Sequence, residues 1–304
     1  MINEFDPQWR HQLYAMANEQ GKTTYLLVDG VCLDKTLQFI REWPIPVAPQ
    51  CALFYERADE NDNEAVLAAS PWLLPYPPEL ERTGALLAAF DALPAIICIR
   101  TGDSRPALLA RLKRWTIVSC GDMQFNFRFT DTRRLPAIHR VLTPEQRVSL
   151  FGNHDQWAFM NRQGQWELLA LSDADKNLTK PEGAWHELQD PALSDDQFAA
   201  LLKDSEPDEI IAAIWEDLPT DCPTRTASRP ADIHQQTLQA LIHADRLGLT
   251  TTPDRLYICL WVLKQYAPER LVKLQSIQEL PVDHPVEDVL MQLDIALKPK
   301  SPYA

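Results

Sequence analysis

The sequence predicts an α/β N-terminal lobe, built on a mixed and largely parallel sheet with helices, followed by an all-α C-terminal lobe. Three observations carry that expectation. Up to Cys120, short apolar runs alternate with helical stretches of roughly 10–15 residues, the rhythm of strands joined by crossover helices. Between Gln124 and Ala170 an alternating segment and a hairpin pattern continue the strand signal. Beyond Ala170 strand signals stop, and helical stretches that open on proline take over. The expected organisation is an α/β domain over 1–170, a linker or irregular segment over 171–192, and a helical lobe over 193–304.

The elements follow in order. Asp6-Pro7 pairs an N-cap residue with proline at the first helical position, which predicts a helix running to Glu19 and ending at Gly21. Tyr25–Val28 is a buried strand stopped by Asp29-Gly30, and a helix over about Leu33–Glu42 follows. Cys51–Tyr55 is expected as a second strand, and Ser70–Pro75 as an extended piece closed by prolines. A helix over Glu79–Leu93 leads to Ala95–Ile99, the clearest strand, bounded by proline and Thr-Gly. Asp103-Ser104 opens a helix to about Lys113, and Trp115–Ser119 is another strand. Gln124–Thr130 alternates as a half-buried strand, and Thr143-Pro144-Glu145-Gln146 has the form of a capping box. Trp157–Met160 and Trp166–Ala170 pair as a hairpin. Later helices are expected over Ser194–Lys203, Pro207–Leu218, Asp232–Leu247, Pro253–Tyr266, Pro268–Leu280 and Pro285–Leu297.

Charge and cysteine content narrow the function classes. The net charge is −14, and it is uneven: residues 1–170 carry 17 Lys/Arg against 20 Asp/Glu, whereas residues 171–304 carry 12 against 23. An acidic half repels phosphate backbones and anionic lipid, which argues against nucleic-acid binding. No apolar run approaches the roughly 20 residues that span a bilayer, so membrane insertion is not expected. Met1–Asp6 has neither a basic nor an apolar stretch of a signal peptide, and the expected location is the cytoplasm. The six cysteines are scattered with no CxxC pair, so a structural zinc site is not expected.

One tetrapeptide suggests chemistry. Gly152-Asn153-His154-Asp155 resembles the GNHD element of calcineurin-like metallophosphoesterases, and Gly121-Asp122 lies upstream at a plausible distance. A bimetal centre needs ligands converging from several loops. Here the second aspartate after Gly121-Asp122 is absent, no D-x-H follows the first strand, and His186, His234, His243 and His284 are isolated. A metal-dependent phosphoesterase using Gly152–Asp155 is therefore the alternative, and a polar turn before a strand the preferred account. With nine glycines in the chain, a phosphate-cradling loop is also hard to build.

A different resemblance covers more of the chain. In order it comprises Tyr25-Leu26-Leu27-Val28-Asp29-Gly30, Leu53-Phe54-Tyr55-Glu56, Ser70-Pro71-Trp72-Leu73, Phe127-Arg128-Phe129-Thr130-Asp131, and Leu150-Phe151-Gly152 with Trp157. This set resembles the effector-adaptor chaperones of type VI secretion, the Tap-type family. Thr130, Thr132 and Asn153 depart from the residues usual there. The resemblance spans about residues 23–170. It implies a non-catalytic cytosolic adaptor without cofactors, whose partners are an effector protein and the VgrG spike that receives it.

An adaptor works through its surfaces, so the candidate residues are partner-binding ones. Trp72, after Pro71, is a candidate rigid aromatic anchor, with core packing the preferred account. Arg111 and Arg114, with Arg105 and Lys113, form a basic stretch suited to an acidic surface. Arg128 and Asp131 flank Phe129 and read first as an internal salt-bridge network and second as contact residues, while Asp29 is expected either to cap the following helix or to hold Arg128 in a buried ion pair. In the C-terminal lobe the candidates are Trp215, Glu216 and Trp261. Asp208, Glu209 and Asp217 would add to Glu216 and steer a basic segment of the effector.

Overall fold

A computed structural model describes residues 1–18, 21–57, 63–76, 81–169, 171–178, 190–264, 270, 272–274, 277 and 286–297. The chain divides into two compact units, Met1–Asp204 and Ser205–Ala304. The first is mixed α/β and the second helical.

The first unit is organised by a five-stranded sheet in the order β2-β1-β3-β6-β7, where β1 is Thr23–Asp29, β2 Pro71–Pro75, β3 Ile96–Thr101, β6 Gln156–Met160 and β7 Trp166–Leu168. Every neighbouring pair is antiparallel, which corrects the expectation of a largely parallel sheet. The reason lies in what a continuous apolar run reports. It marks a strand covered on both faces, which is common in parallel sheets but says nothing about direction. Here Leu26, Val28, Trp72, Leu74, Ile96 and Cys98 pack on one face, while Tyr25, Leu27, Leu73, Ile97, Ile99 and Trp157 pack on the other. Fully burying one such side chain contributes about 1.5–3 kcal/mol. The helical connection from β1 to β2 returns to the end it left, so Asp29 faces Pro71. Prolines at both ends of β2 fit its place at the sheet edge.

Helices α1 (Trp9–Ala17), α2 (Thr36–Glu42), α3 (Asn63–Ala69) and α4 (Glu81–Leu87) belong to the first half of this unit. α1 begins later than Asp6-Pro7 predicts, because Asp6 spends its carboxylate on the amide of Gln8 and its carbonyl on that of Trp9, making a turn before the helix. Cys51–Tyr55 is not a strand. It lies in short 3₁₀ turns with a single bridge from Ala52 to Trp72, its apolar residues serving burial alone. α5 (Arg105–Arg114) leads to a separate hairpin of β4 (Ile117–Cys120) and β5 (Met123–Asn126). The alternation expected to run to Thr130 therefore ends as a strand at Asn126. α6 (Leu135–Val141) and α7 (Pro144–Phe151) follow. α7 opens on the expected capping box: Thr143 Oγ1 accepts from the Gln146 amide at 3.3 Å, and Gln146 Oε1 accepts from the Thr143 amide at 2.9 Å.

Within residues 171–192, α8 (Asp173–Lys176) is capped by Ser172, and buried Asp175 receives Arg147 Nη2 at 2.9 Å. The Ser119 carbonyl accepts from Leu193 N at 2.8 Å. Residues 179–189 lie outside the described residues.

α9 (Asp195–Ile214) is one helix where two were expected, with Pro207 inside it. A proline there forfeits a backbone hydrogen bond, a cost of about 3 kcal/mol, set against the burial of Pro207 itself. The second unit contains α10 (Pro223–Thr226), α11 (Pro230–Arg246), α12 (Thr252–Lys264) and α13 (Val286–Leu297). Most of the helix expected over Pro268–Leu280 lies outside the described residues. The core stripe of α11 is Ile233, Thr237, Ala240, Leu241 and Ala244, whereas Ile242 is exposed. Small residues, Ala240 and Ala244, do much of the close packing in this stripe. Arg255 binds Glu206 through Nε at 2.6 Å and Nη2 at 2.7 Å, and Asp245 through Nη1 at 2.7 Å, tying α12 to α9 and α11. Among the described residues no helix is long and apolar enough to cross a membrane.

Candidate functional site

The two ends of the five-stranded sheet each hold an arginine–aspartate cluster. At the end where β1 stops and β2 and β3 begin, Asp29 closes β1 and is 2% exposed. Its Oδ1 accepts from the Val31 amide at 3.2 Å, starting a 3₁₀ turn. Its Oδ2 accepts from Thr130 Oγ1 at 2.9 Å and from Arg128 Nη2 at 3.3 Å. Gly30 is required next: a Cβ there would collide with the carbonyl oxygens of Ala68 and Ser70. Arg128 remains 41% exposed.

Asp131 lies beside this pair and is fully buried. It accepts from the Arg133 backbone at 3.1 Å, Nε at 2.9 Å and Nη2 at 2.7 Å. Burial alone would raise its pKa, but the hydrogen bonds from Arg133 and the charges of Arg133 and Arg128 outweigh burial and hold the carboxyl below its usual range. Cys32 faces the same charges. Burial first, then Asp29 and Asp131, push its thiol up to about 11 against Arg128 and Arg133, so it stays protonated and unreactive at neutral pH.

Asp29, Arg128 and Thr130 line a cavity of about 250 Å³. Phe54, Pro71, Phe127 and Phe129 supply apolar wall, while Asp29, Arg128, Thr116 and Asn126 supply the polar part. Val31 stands beside it, 59% exposed. Arg57 reaches the same wall, donating to Asn126 Oδ1 at 3.3 Å and to Thr116 Oγ1, with its guanidinium 4.8 Å from the centre of the Phe54 ring. Sequence reasoning missed Arg57 and Phe54 as site residues. The one available signal was an aromatic followed closely by an arginine at the edge of an apolar run, which by itself is too common to choose.

At the opposite end of the sheet, Arg111 from α5 is completely buried. It binds Asp155 through Nη2, and its Nη1 lies 3.3 Å from Asp103 Oδ2. Gly152 makes room for this pair. Its φ is +74°, and a Cβ would collide with Arg111 Nη1 and the Asp155 carboxylate. Asn153 Nδ2 donates to the Leu178 carbonyl at 3.1 Å, and His154 is exposed, its carbonyl accepting from Lys22. Gly152–Asp155 is thus a turn that delivers a buried salt-bridge partner to the start of β6. Gly121-Asp122, with Gly121 at φ +55°, is the two-residue turn of the β4–β5 hairpin.

The other sequence candidates are scattered. Trp72 is core, its indole donating to the Leu67 carbonyl at 2.9 Å, because its place in β2 points it into the first packed face. Arg114 donates to Ser149 Oγ at 3.3 Å beside the Trp115 indole, which shares that oxygen at 3.2 Å. In the second unit Trp215 is half-buried beneath Arg225, Glu216 is exposed, and Trp261 is internal with Arg270 stacked at 4.6 Å. Trp72, Arg111 and Trp261 therefore present little or no surface to a partner. Of the candidates, Arg128 and Asp131 are brought together, and Arg128 lines the cavity.

Residues 24–149 match a family model, the domain of unknown function DUF4123. No curated protein and no solved structure matches the chain. The DUF4123 match begins in β1 and ends in α7, so it holds every residue of the β1-end cavity and Arg111, but leaves out Asp155, β6, β7 and the helical unit.

Proposed function

We propose that the protein is a non-catalytic adaptor of type VI secretion that binds an effector and assists its loading onto the VgrG spike in the cytoplasm. The observation that carries this is a coincidence of position. Four of the five ordered segments that resemble Tap-type adaptors lie inside the DUF4123 match over residues 24–149, and the fifth, Leu150-Phe151-Gly152 with Trp157, follows directly after it. The arrangement at the β1 end supports binding rather than chemistry. Its carboxylates are engaged by arginine and threonine, its thiol is held protonated, and what it offers outward is an apolar cavity beside guanidinium groups. Aromatic and arginine side chains in such a setting are the usual anchors of protein interfaces.

Where a toxin gene lies beside this one, co-expression of the tagged chain with that toxin is expected to give a stable complex at fixed stoichiometry. Deletion of the gene is expected to stop secretion of that one effector while others continue. Arrest of all effectors would instead indicate a structural subunit of the secretion machine, and an intact toxin output would remove the adaptor role.

A further inference from the structure

The β1-end cavity is specific in both size and charge. At about 250 Å³ it falls below the roughly 300–1,000 Å³ of pockets that enclose whole small ligands, and it matches one large side chain. Among the described residues its charge is unbalanced. Arg128 shares Asp29, and Arg133 holds Asp131 with Arg134 at 4.0 Å. Among the described residues the hydrogen-bond partners of Arg57 are neutral, its ring contact is the face of Phe54, and the charge of its neighbour Glu56 is shared with Lys113 at 2.6 Å. Arg128 lines the cavity and Arg57 reaches three of its lining residues, Thr116, Asn126 and Phe54; both are exposed, and a guanidinium with unused donors is a bidentate receptor for carboxylate.

We propose that this cavity receives one aromatic or large aliphatic side chain of a partner polypeptide, with a carboxylate next to that side chain held by Arg57 and Arg128. The partner segment is thus an acidic peptide with an apolar anchor. The proposal rests on the reading of the protein as a binder of polypeptides and adds which segment chemistry it selects and where. Phe54 and Val31, with Phe127, supply the contact for the anchor, and the two guanidiniums supply selection against basic segments.

The test uses the full chain and fluorescein-labelled Gly/Ser octapeptides with a central Phe-Asp-Glu, Ala-Asp-Glu or Phe-Asn-Gln, read by anisotropy. The Phe-Asp-Glu peptide is expected to bind saturably and to weaken in high salt. Each control peptide is expected to bind about tenfold or more weakly. Arg57→Ala and Val31→Glu, both at exposed positions, are expected to cause a similar loss without changing the melting temperature. Equal binding of the three peptides, no saturable binding of any, or unchanged binding by both folded variants would overturn the proposal. The same variants are then co-expressed with the neighbouring toxin. Full capture by both variants removes the cavity from the interface while leaving the adaptor function standing. Failure of the unaltered chain to capture the toxin removes the adaptor function, whatever the peptides do.

Discussion

The two ends of the central sheet use the same pair of residue types for opposite purposes. Arg111 is sealed between Asp155 and Asp103 with no exposed guanidinium surface, whereas Arg128 touches Asp29 and keeps two-fifths of its side chain in solvent. An arginine sealed inside a protein must be matched, because the uncompensated charge costs several kcal/mol. An arginine at a rim contributes little to the fold and stays free to meet something else. Exposure, more than residue type, separates a girder from a recognition group.

The largest expected effect lies at the sealed end. Arg111→Ala should destabilise the folded chain by about 3–5 kcal/mol by leaving Asp155 buried without its partner, seen as a lower urea midpoint in equilibrium unfolding. Gly152→Ala tests the same cluster from the backbone. A side chain at φ +74° that also collides with Arg111 should cost about 1–3 kcal/mol, and a melting temperature equal to that of the unaltered chain would dissolve the contrast.

Asp131 sharpens the comparison at the other end through pH. Its folded pKa is depressed, so the stability it contributes is complete above the unfolded carboxyl value of about 3.9 and is lost as pH falls through the lower folded value. Asp131→Asn should lower stability at neutral pH by about 1–3 kcal/mol and flatten the acid limb of the stability–pH curve, measured by denaturant titration at successive pH values. The smallest expected effect on stability is that of Arg128→Ala, within about 1 kcal/mol, combined with a clear loss of effector capture in co-purification. A large fall in stability with capture intact would reverse the roles assigned to the two ends.

Much of the fold was legible in the sequence. The five strands of the central sheet each correspond to an apolar or alternating run, and Thr143–Gln146 spelled out its own cap. These signals are local, since a cap or a strand is a matter of a few consecutive residues. The errors came where one signal has two causes. The apolar run Cys51–Tyr55 is as buried as a strand yet folds as turns. Pro207, legible as a helix start, sits inside α9. The candidate site was legible only as Arg128 and Asp131, on a single aromatic segment. Arg57 and Phe54 join that site through contacts with Thr116 and Asn126, which no local pattern connects.

The sequence by itself determined the change from an α/β half to a helical half, the positions of the buried strands, and the uneven distribution of charge. Only the tertiary structure decided strand direction, because side-chain burial on two faces is the same for parallel and antiparallel neighbours. It also decided which arginines are sealed and which stand at a rim. Asp29 meets Arg128 across 99 positions, and Arg111 meets Asp155 across 44. Whether such a pair closes in the interior or at a surface depends on the layers packed around it, and that packing is written in no single stretch of the chain.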